Sequence, residues 1–405
     1  MPSSMDPAAC SGFSRRSFFR FAAGASALAT MPILTESRLA LAARPHFSDP
    51  NKGIHIDANE NPMGPSEGAR QAMVDIIPRG GRYLFPLEVE PAEIFAKQEG
   101  LNPESVIPFA GSSEPLHYTV LAFTGKDRPL VIADPGYEAP MWAAQVSGAS
   151  VLKVPLADPK GAATHDIKAM LAAASNPGVI YICNPNNPTG TCTPRKDIEY
   201  AVANAPKDTI LLIDEAYIHL CDEPRSLDFV KEGKNVIVLR TFSKLYGMAG
   251  IRMGFAVGRP DLLAKITPLG GMNALPVTAV AAAKASLLDT DLVATRKKKI
   301  GEIRAENLAW LKSQGYAVTP SESNCFMLDV RRPGAQVQAA LAQKDMFIGR
   351  IWPAWPTQVR ITVGTKDEML AFQKAFTEVM ASPTAGLVPP QLPLRLAKQP
   401  FTHLS

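Results

Sequence analysis

The 405-residue sequence has little of what metal-binding, nucleic-acid-binding and membrane-spanning proteins need. Its six histidines are scattered without the short spacing of metal ligands, so no metal site is predicted. Lysine and arginine number 42 against 38 acidic residues, and the one dense basic run, residues 296–299, is typical of a solvated helix face. No nucleic-acid partner is therefore expected. Long apolar runs are also scarce, and residues 21–34 are too few and too rich in alanine for a membrane span of roughly 20 residues. We predict no stable membrane anchor.

The first forty residues differ in character from the rest of the chain. Residues 14–20 read SRRSFFR, the apolar run 21–34 follows, and residues 40–42 read ALA, a pattern at which signal peptidase cuts. The segment resembles a twin-arginine export signal, with Phe19 where such signals often have leucine and Arg20 where they often have lysine.

This resemblance implies that residues 1–42 are a signal peptide. The protein would then pass folded through the twin-arginine export machinery to the periplasm or the cell exterior. An uncleaved membrane anchor and a chance basic start are the alternatives.

Cysteine is too sparse to define a disulfide framework. Cys10 would leave with the signal, and an even number remains: Cys183, Cys192, Cys221 and Cys325. An oxidising compartment permits disulfides, but the spacing identifies no pair. We predict no required disulfide, and a buried free thiol at Cys183 because it ends an apolar run.

Short apolar runs alternate with helix-like stretches through the middle of the chain. Such runs, separated by amphipathic helices, indicate a mostly parallel sheet covered on both faces. The predicted strands are 131–133, 151–154, 179–183, 210–213, 236–239 and 255–257. Ligands of open α/β sheets bind beyond the carboxyl ends of the strands. Polar residues gather where four of these runs end, which predicts a site there: Asp134, Asn184, Asp214 and Thr241.

The later part of the chain predicts a smaller α+β domain. Residues 276–314 have a long helical pattern, and strand-like segments at 325–330 and 359–363 are accompanied by helices around 336–344 and 367–379. The predicted organisation is a signal peptide (1–42), an N-terminal segment that contributes to the small domain and active site (43–80), a large domain (81–280), a C-terminal small domain (281–381) and a Pro-rich tail (382–405).

A lysine with unusual neighbours follows one of the predicted strands. Residues 241–252 read TFSKLYGMAGIR, which places Lys244 next to two hydroxyl residues, Thr241 and Ser243, and eight residues before Arg252. Strand-end lysines are usually solvated, but a lysine that forms an imine needs a desolvated, cation-rich setting that lowers its pKa. Thr241, Ser243 and Arg252 are suitable groups for a phosphate dianion.

Two further segments end buried strands with polar groups. Residues 210–217 read ILLIDEAY, and Asp214 at the end of so apolar a strand is costly unless it meets a cation such as a pyridinium nitrogen. A helix N-cap would also explain Asp214 taken alone. Residues 184–190 read NPNNPTG; this fits a tight turn, yet two prolines would hold Asn187 rigidly at the strand end.

Together these segments resemble those of the fold-type I aminotransferases, and most closely the histidinol-phosphate aminotransferase branch. The resemblance covers residues 54–379. It also includes DANENPMGP (57–65), RY (82–83), GSSE (111–114), PGY (135–137) and VRITVG (359–364). It implies an α/β fold with a mostly parallel seven-stranded sheet in the large domain, a smaller α+β domain, and pyridoxal 5'-phosphate (PLP) as cofactor.

The resemblance also implies roles for individual residues around the PLP ring. Lys244 would hold PLP as a Schiff base and later move the proton from the substrate Cα. Asp214 would pair with the ring nitrogen, Asn187 and Tyr217 would hydrogen-bond the ring 3-oxygen, and Tyr137 would stack on the ring.

The remaining implied roles concern the phosphate and the substrate. Ser112 and Ser113, opening a helix, would bind the phosphate with Thr241, Ser243 and Arg252. Tyr83 would reach the phosphate of a neighbouring subunit in a homodimer. The substrate contacts would come from Arg360, which clamps the α-carboxylate, from Asn59, and from Arg350.

Two departures from the family pattern bear on the substrate. Leu84 follows Tyr83 where relatives usually have proline, which weakens the expected dimer contact. Arg350 would match an arginine that reads the phosphate of histidinol phosphate, but the next loop is shortened and carries Trp352 and Trp355. The tryptophans suggest a flatter, more apolar pocket or, equally, packing between domains.

The predicted location also bears on the substrate. Histidine biosynthesis is cytosolic, so an exported enzyme, folded with its cofactor, is expected to act on a substrate other than histidinol phosphate.

The predicted function is transfer of an amino group between an amino acid, or an amine with a carboxylate, and a 2-oxo acid. An oxidase, lyase or racemase on the same scaffold is the first alternative, because it would keep Lys244, Asp214 and Arg360. A non-catalytic binding protein is the second, and the intact set of cofactor-binding residues argues against it.

Overall fold

The computed structural model describes residues 33–43, 52–270 and 274–382. Most of the predicted signal peptide, including the paired arginines and Cys10, and the tail after Ser382 lie outside these residues. No helix in the described ranges combines the length and apolar character needed to cross a membrane.

Eleven strands are present in the described ranges. They are β1 (Ile54–Ile56), β2 (Val106–Phe109), β3 (Leu130–Asp134), β4 (Val151–Pro155), β5 (Val179–Cys183), β6 (Ile210–Asp214), β7 (Val236–Thr241), β8 (Gly254–Gly258), β9 (Cys325–Asp329), β10 (Met346–Ile348) and β11 (Gln358–Thr362).

The α-helices of the same ranges number fourteen. They are α1 (Glu36–Ala43), α2 (Glu67–Ile76), α3 (Phe85–Glu88), α4 (Glu90–Glu99), α5 (Ser113–Phe123), α6 (Ala139–Ser147), α7 (Ile167–Ala172), α8 (Arg195–Asn204), α9 (Leu227–Lys231), α10 (Pro260–Ile266), α11 (Val277–Leu288), α12 (Leu292–Ser313), α13 (Gly334–Ala342) and α14 (Lys366–Ala381).

A seven-stranded sheet forms the larger core, which confirms the predicted fold. Its order is β2-β8-β7-β6-β5-β3-β4, and β8 runs in the direction opposite to the other six strands. Strands β5, β6, β7 and β8 are buried along their whole length, as their continuous apolar sequences require. The predicted strands of this sheet agree with the observed ones to within about two residues, which is the usual uncertainty of strand ends; β2 was not predicted.

Two short sheets accompany the C-terminal part. β9 and β11 lie in the two segments that were predicted to be strands, and they pair in antiparallel register. β1 pairs in parallel with β10, Ile54 opposite Met346, a long-range pairing that the sequence did not indicate. The predicted long helical stretch is divided into α11 and α12 around Asp289. The predicted domain boundaries at 43, 81, 281 and 382 stay predictions.

The antiparallel strand β8 brings two loops together at the carboxyl edge of the sheet. Gly254 lies opposite both Phe109 at the end of β2 and Thr241 at the end of β7. A Cβ at Gly254 would lie 2.7 Å from the Gly111 carbonyl carbon and 2.7 Å from the Arg240 oxygen, so only glycine fits. The loops after β2 and β7 therefore meet at one place.

A buried ion pair holds the loop that follows β6. Arg240 Nη1 donates to Glu215 Oε2 at 2.6 Å, and both side chains are almost fully buried. The second carboxylate oxygen of Glu215 accepts the Ser226 N–H at 2.5 Å. Since buried charges need partners in good geometry, this pair fixes the backbone beside Asp214.

Candidate active site

A cavity of about 240 Å³ opens at the carboxyl edge of the sheet. The loops after five strands, together with residues from the N-terminal part, form its wall. Among the lining residues are Thr35, Glu36, Ser37, Ser112, Ser113, Tyr137, Cys183, Asn187, Asp214, Tyr217, Thr241, Ser243, Lys244 and Arg252. Ten residues predicted to bind the cofactor thus surround one space.

Lys244 lies in the loop directly after β7 and is 8% exposed. Its Nζ donates to the carbonyl oxygens of Asn59 at 3.0 Å and Ala58 at 3.3 Å. Burial is the main cause that lowers the pKa of Lys244; nearby Arg360 lowers it further, and Glu36 raises it. A lysine in this environment has more of the neutral amine that attacks a carbonyl.

Asp214 ends β6 and is 4% exposed. Tyr181 Oη donates to its Oδ2 at 2.8 Å, and the Ala216 N–H donates to its Oδ1 at 3.1 Å. Burial raises the pKa of Asp214 to about 6, although both hydrogen bonds and nearby Lys244 oppose the shift. No cationic side chain of the described ranges forms an ion pair with this carboxylate, and a protonated ring nitrogen would be a suitable partner.

Two further polar side chains, Tyr217 and Asn187, line the same cavity as Asp214. Tyr217 Oη accepts a hydrogen bond from Asn59 Nδ2 at 3.1 Å, and burial raises the pKa of Tyr217 so that it stays protonated. Asn187 Oδ1 accepts from Arg360 Nη1 at 2.9 Å. Asn59 thus contacts Tyr217, and its predicted part in substrate binding stays a prediction.

The hydroxyl groups and Arg252 form a cup at the N-terminus of α5. Thr241 Oγ1 donates to Ser243 Oγ at 2.9 Å, and Arg252 Nη1 donates to the same oxygen at 3.3 Å. Gly111 has a φ of 91°, and a Cβ there would overlap the Arg252 guanidinium. Ser112 and Ser113 begin α5, where free backbone N–H groups favour an anion.

Two buried arginines lie on the other side of the cavity. Arg360 is fully buried, and besides Asn187 its guanidinium contacts Glu36 Oε1 at 2.7 Å and donates to the Asp57 carbonyl oxygen. Arg350 forms a fork on Glu138, with bonds of 3.1 and 2.7 Å, and also contacts Glu36 at 2.7 Å. One carboxylate, that of Glu36, is therefore shared by both arginines.

The two tryptophans after Arg350 have different environments. Trp352 is 1% exposed, donates through Nε1 to the Gly136 oxygen at 2.8 Å, and lies 4.6 Å from the Arg350 guanidinium and 5.4 Å from that of Arg360. Trp355 packs on a separate cluster that contains Ala133. Only Trp352 lies beside the arginines.

Tyr83 does not join the cavity wall of its own chain. Its side chain is 71% exposed and stacks on Phe85, with ring centroids 5.3 Å apart. Its expected contact with a neighbouring subunit stays a prediction.

The sequence analysis did not identify three residues of the site, Glu36, Glu138 and Tyr181. Glu36 lies within the predicted signal peptide, and Glu138 follows the PGY segment without any motif of its own. Tyr181 had a usable signal: a phenol inside a fully apolar strand needs a buried partner. Parallel pairing of β5 with β6 places that partner, Asp214, opposite Cys183, two residues further along the strand.

Comparisons with known proteins agree with this geometry. The model of the family described as aminotransferase class I and II matches residues 54–375. A histidinol-phosphate aminotransferase of Moorella thermoacetica is 32% identical, over 81% of this chain and 86% of the relative. An aromatic amino acid aminotransferase of Rhodococcus jostii is also 32% identical, over 82% and 92%. The histidinol-phosphate aminotransferase of Sinorhizobium meliloti, solved in complex with pyridoxal 5'-phosphate, has a TM-score of 0.75 at 25% identity and covers 92% of this chain and 99% of its own.

The chain belongs to the class I and II aminotransferases. It is a PLP-dependent enzyme that transfers amino groups between small molecules, as predicted. The residues fit the cofactor, because a buried acid without a close cation, a desolvated lysine and an anion cup surround one cavity. When bound, PLP supplies an aldehyde for the lysine and a protonated ring that withdraws electrons from the substrate.

The raised pKa of Asp214 makes a prediction about the cofactor-free protein. A raised carboxyl pKa means that the folded state binds more protons than the unfolded state, so stability is lost as pH rises through about 6. From pH 4 to pH 7.5 the free energy of unfolding of the wild type should fall by about 2.4 kcal/mol relative to Asp214→Asn, since each pKa unit corresponds to about 1.4 kcal/mol and pH 4 already lies slightly above the ordinary pKa of 3.8. Urea unfolding of both cofactor-free proteins across this range measures the difference. A difference that does not change with pH would contradict the desolvation of Asp214.

Proposed function

We propose that this aminotransferase acts on an amino acid with a free carboxylate and passes the amino group to a 2-oxo acid. The observation that supports this best is that Arg360 and Asn187, which are bonded to each other, both bind the carboxylate of Glu36 beside the Lys244 loop. An α-amino acid presents such a carboxylate one bond from the carbon at which the proton moves. Arg360 and Asn187 orient that group, and Lys244 Nζ takes the proton from Cα.

The pairing of Arg350 argues against a phosphorylated substrate. Glu138 already occupies one edge of its guanidinium through two hydrogen bonds. The net charge that Arg350 and Glu138 offer together is close to zero, which suits a neutral side chain better than a phosphate dianion. Trp352, which covers both guanidiniums, favours a flat or apolar side chain, in line with the substrate named for the Rhodococcus jostii relative.

The reaction can be tested on the PLP-loaded full chain without any added oxo acid. We expect a panel of amino acids in excess to shift the cofactor absorbance and to release one 2-oxo acid per site, aromatic and other apolar amino acids reacting best and histidinol phosphate not reacting. Lys244→Ala is the control and should release none. Oxygen consumption or ammonia release with no change of cofactor form would instead indicate an oxidase or a lyase.

We also propose that two copies of the chain associate as a homodimer. Support comes from a set of exposed apolar side chains close together in the chain, each 49% to 71% exposed: Val74, Ile77, Tyr83, Phe85 and Val89. Apolar side chains grouped in this way favour a protein partner. A second copy would cover them and bring Tyr83 toward the partner's phosphate cup.

Phe85→Asp should convert the dimer to a monomer, because it places a charge beside Tyr83 among the apolar side chains that a second copy would cover. Light scattering coupled to gel filtration measures the mass. Leu370→Asp, at another exposed apolar position (52% exposed), is the matched control and should stay dimeric. A monomeric wild type would contradict the proposal.

The third proposal concerns location: the enzyme is exported folded by the twin-arginine machinery and cut after Ala42. The SRRSFFR motif, the apolar run and the ALA site support it. In cells that express the full chain, the exported fraction should begin at Ala43 by N-terminal sequencing, and a double change of Arg15→Lys and Arg16→Lys should retain the protein in the cytosol. Export of that double variant in unchanged amount would contradict the route.

A further inference from the structure

A carboxylate from the chain's own N-terminal part lies in the proposed substrate site. Glu36 Oε1 is 2.7 Å from Arg350 Nη1 and 2.7 Å from Arg360 Nη2. Its Oε2 accepts from Asn187 Nδ2 at 3.3 Å and from Arg350 Nη2 at 3.2 Å. Two of these three partners, Arg360 and Asn187, are the groups to which the substrate carboxylate is assigned.

The local structure around Glu36 holds it in this place. The Leu34 N–H donates to His117 Nε2 at 3.1 Å, which ties the segment to α5. Thr35 accepts the Leu39 N–H through its carbonyl oxygen at 3.0 Å, so α1 starts at once and Glu36 projects from its first turn. Ala40, one turn later, is 3% exposed. The contact of Glu36 thus belongs to a docked segment, residues 34–40.

Occupation of the site by Glu36 excludes a substrate carboxylate. Arg360 is fully buried, and its Nη1 and Nη2 are already bonded to Asn187, the Asp57 carbonyl oxygen and Glu36. Only the place of Glu36 can pass to a substrate, because the other partners belong to the fixed wall. Because Glu36 belongs to the same chain as the site, its effective concentration there is on the order of millimolar, comparable with ordinary substrate concentrations.

We propose that the docked segment is an intramolecular competitor of the substrate, with Glu36 in the carboxylate site until an amino acid displaces it. The proposal rests on the carboxylate site proposed above for Arg360 and Asn187. The predicted cut after Ala42 would remove Glu36 for good. The full chain would then bind its substrate weakly, and the processed chain tightly.

Glutarate is a suitable probe, because its carboxylate ends a chain like that of glutamate and it has no amine to react. Calorimetric titration of glutarate into the PLP-loaded full chain should show binding at least about tenfold tighter for Glu36→Gln than for the wild type. The control Glu306→Gln removes an equally sized acid from an exposed pair with Lys366 and should match the wild type. With a reacting amino acid, Glu36→Gln should lower KM by a similar factor and leave kcat unchanged.

Equal glutarate affinity of the wild type and Glu36→Gln, or no binding to either, overturns the proposal. Thermal unfolding checks the fold: glutarate should raise the Tm of Glu36→Gln more than that of the wild type, because it binds a freed site. Glu36→Asp, which keeps the charge but shortens the reach, should have an intermediate affinity. If glutarate affinity is unchanged but amino acids still react, only the proposal that Glu36 competes with the substrate is wrong. If Glu36→Gln binds glutarate more tightly but no amino acid reacts, only the proposed amino transfer is wrong.

Discussion

Desolvation of charged groups at the carboxyl edge of the seven-stranded sheet is the constraint on which the rest of this site depends. Lys244 and Asp214 are both more than nine-tenths buried. Burial lowers the pKa of Lys244 and raises the pKa of Asp214, so that it favours the neutral form of each group. Burying such groups contributes little to the stability of the fold by itself. The cost of burial is offset when a cation lies beside Asp214 and a carbonyl beside Lys244, and PLP has both of these groups.

The wall around these groups is assembled from distant parts of the chain. The pairing of β1 with β10 brings the N-terminal strand to the C-terminal part, and the Asn59 carbonyl then accepts from Lys244. The antiparallel β8 brings the loops after β2 and β7 together, so that Arg252 donates to the Ala110 carbonyl oxygen in the loop before α5. Each contact restricts one catalytic group, and loss of either pairing would loosen the site without removing any of its residues.

Charge balance on the substrate side links specificity and regulation. Arg350 and Arg360 contribute two positive charges, and Glu138 and Glu36 contribute two negative ones. Glu138 is a fixed partner that leaves little attraction for a phosphate. Glu36 is carried on a segment that the predicted processing would remove, so its departure would expose one unpaired positive charge for a carboxylate. In this arrangement the enzyme would reach full affinity only after export.

The sequence by itself determined the α/β class, the positions of six of the seven strands of the large sheet and ten of the residues that surround the cavity. Continuous apolar runs that alternate with amphipathic helices indicate buried parallel strands, and the polar residues that follow such strands gather at one edge of the sheet. It did not reveal β1 with β10, the Tyr181 contact to Asp214, or the shared carboxylate of Glu36. Those depend on pairings between residues far apart in the chain, such as Glu36 with Arg350 and Arg360, for which no local pattern exists. Only the tertiary structure could decide them, because packing alone determines which buried charges become neighbours.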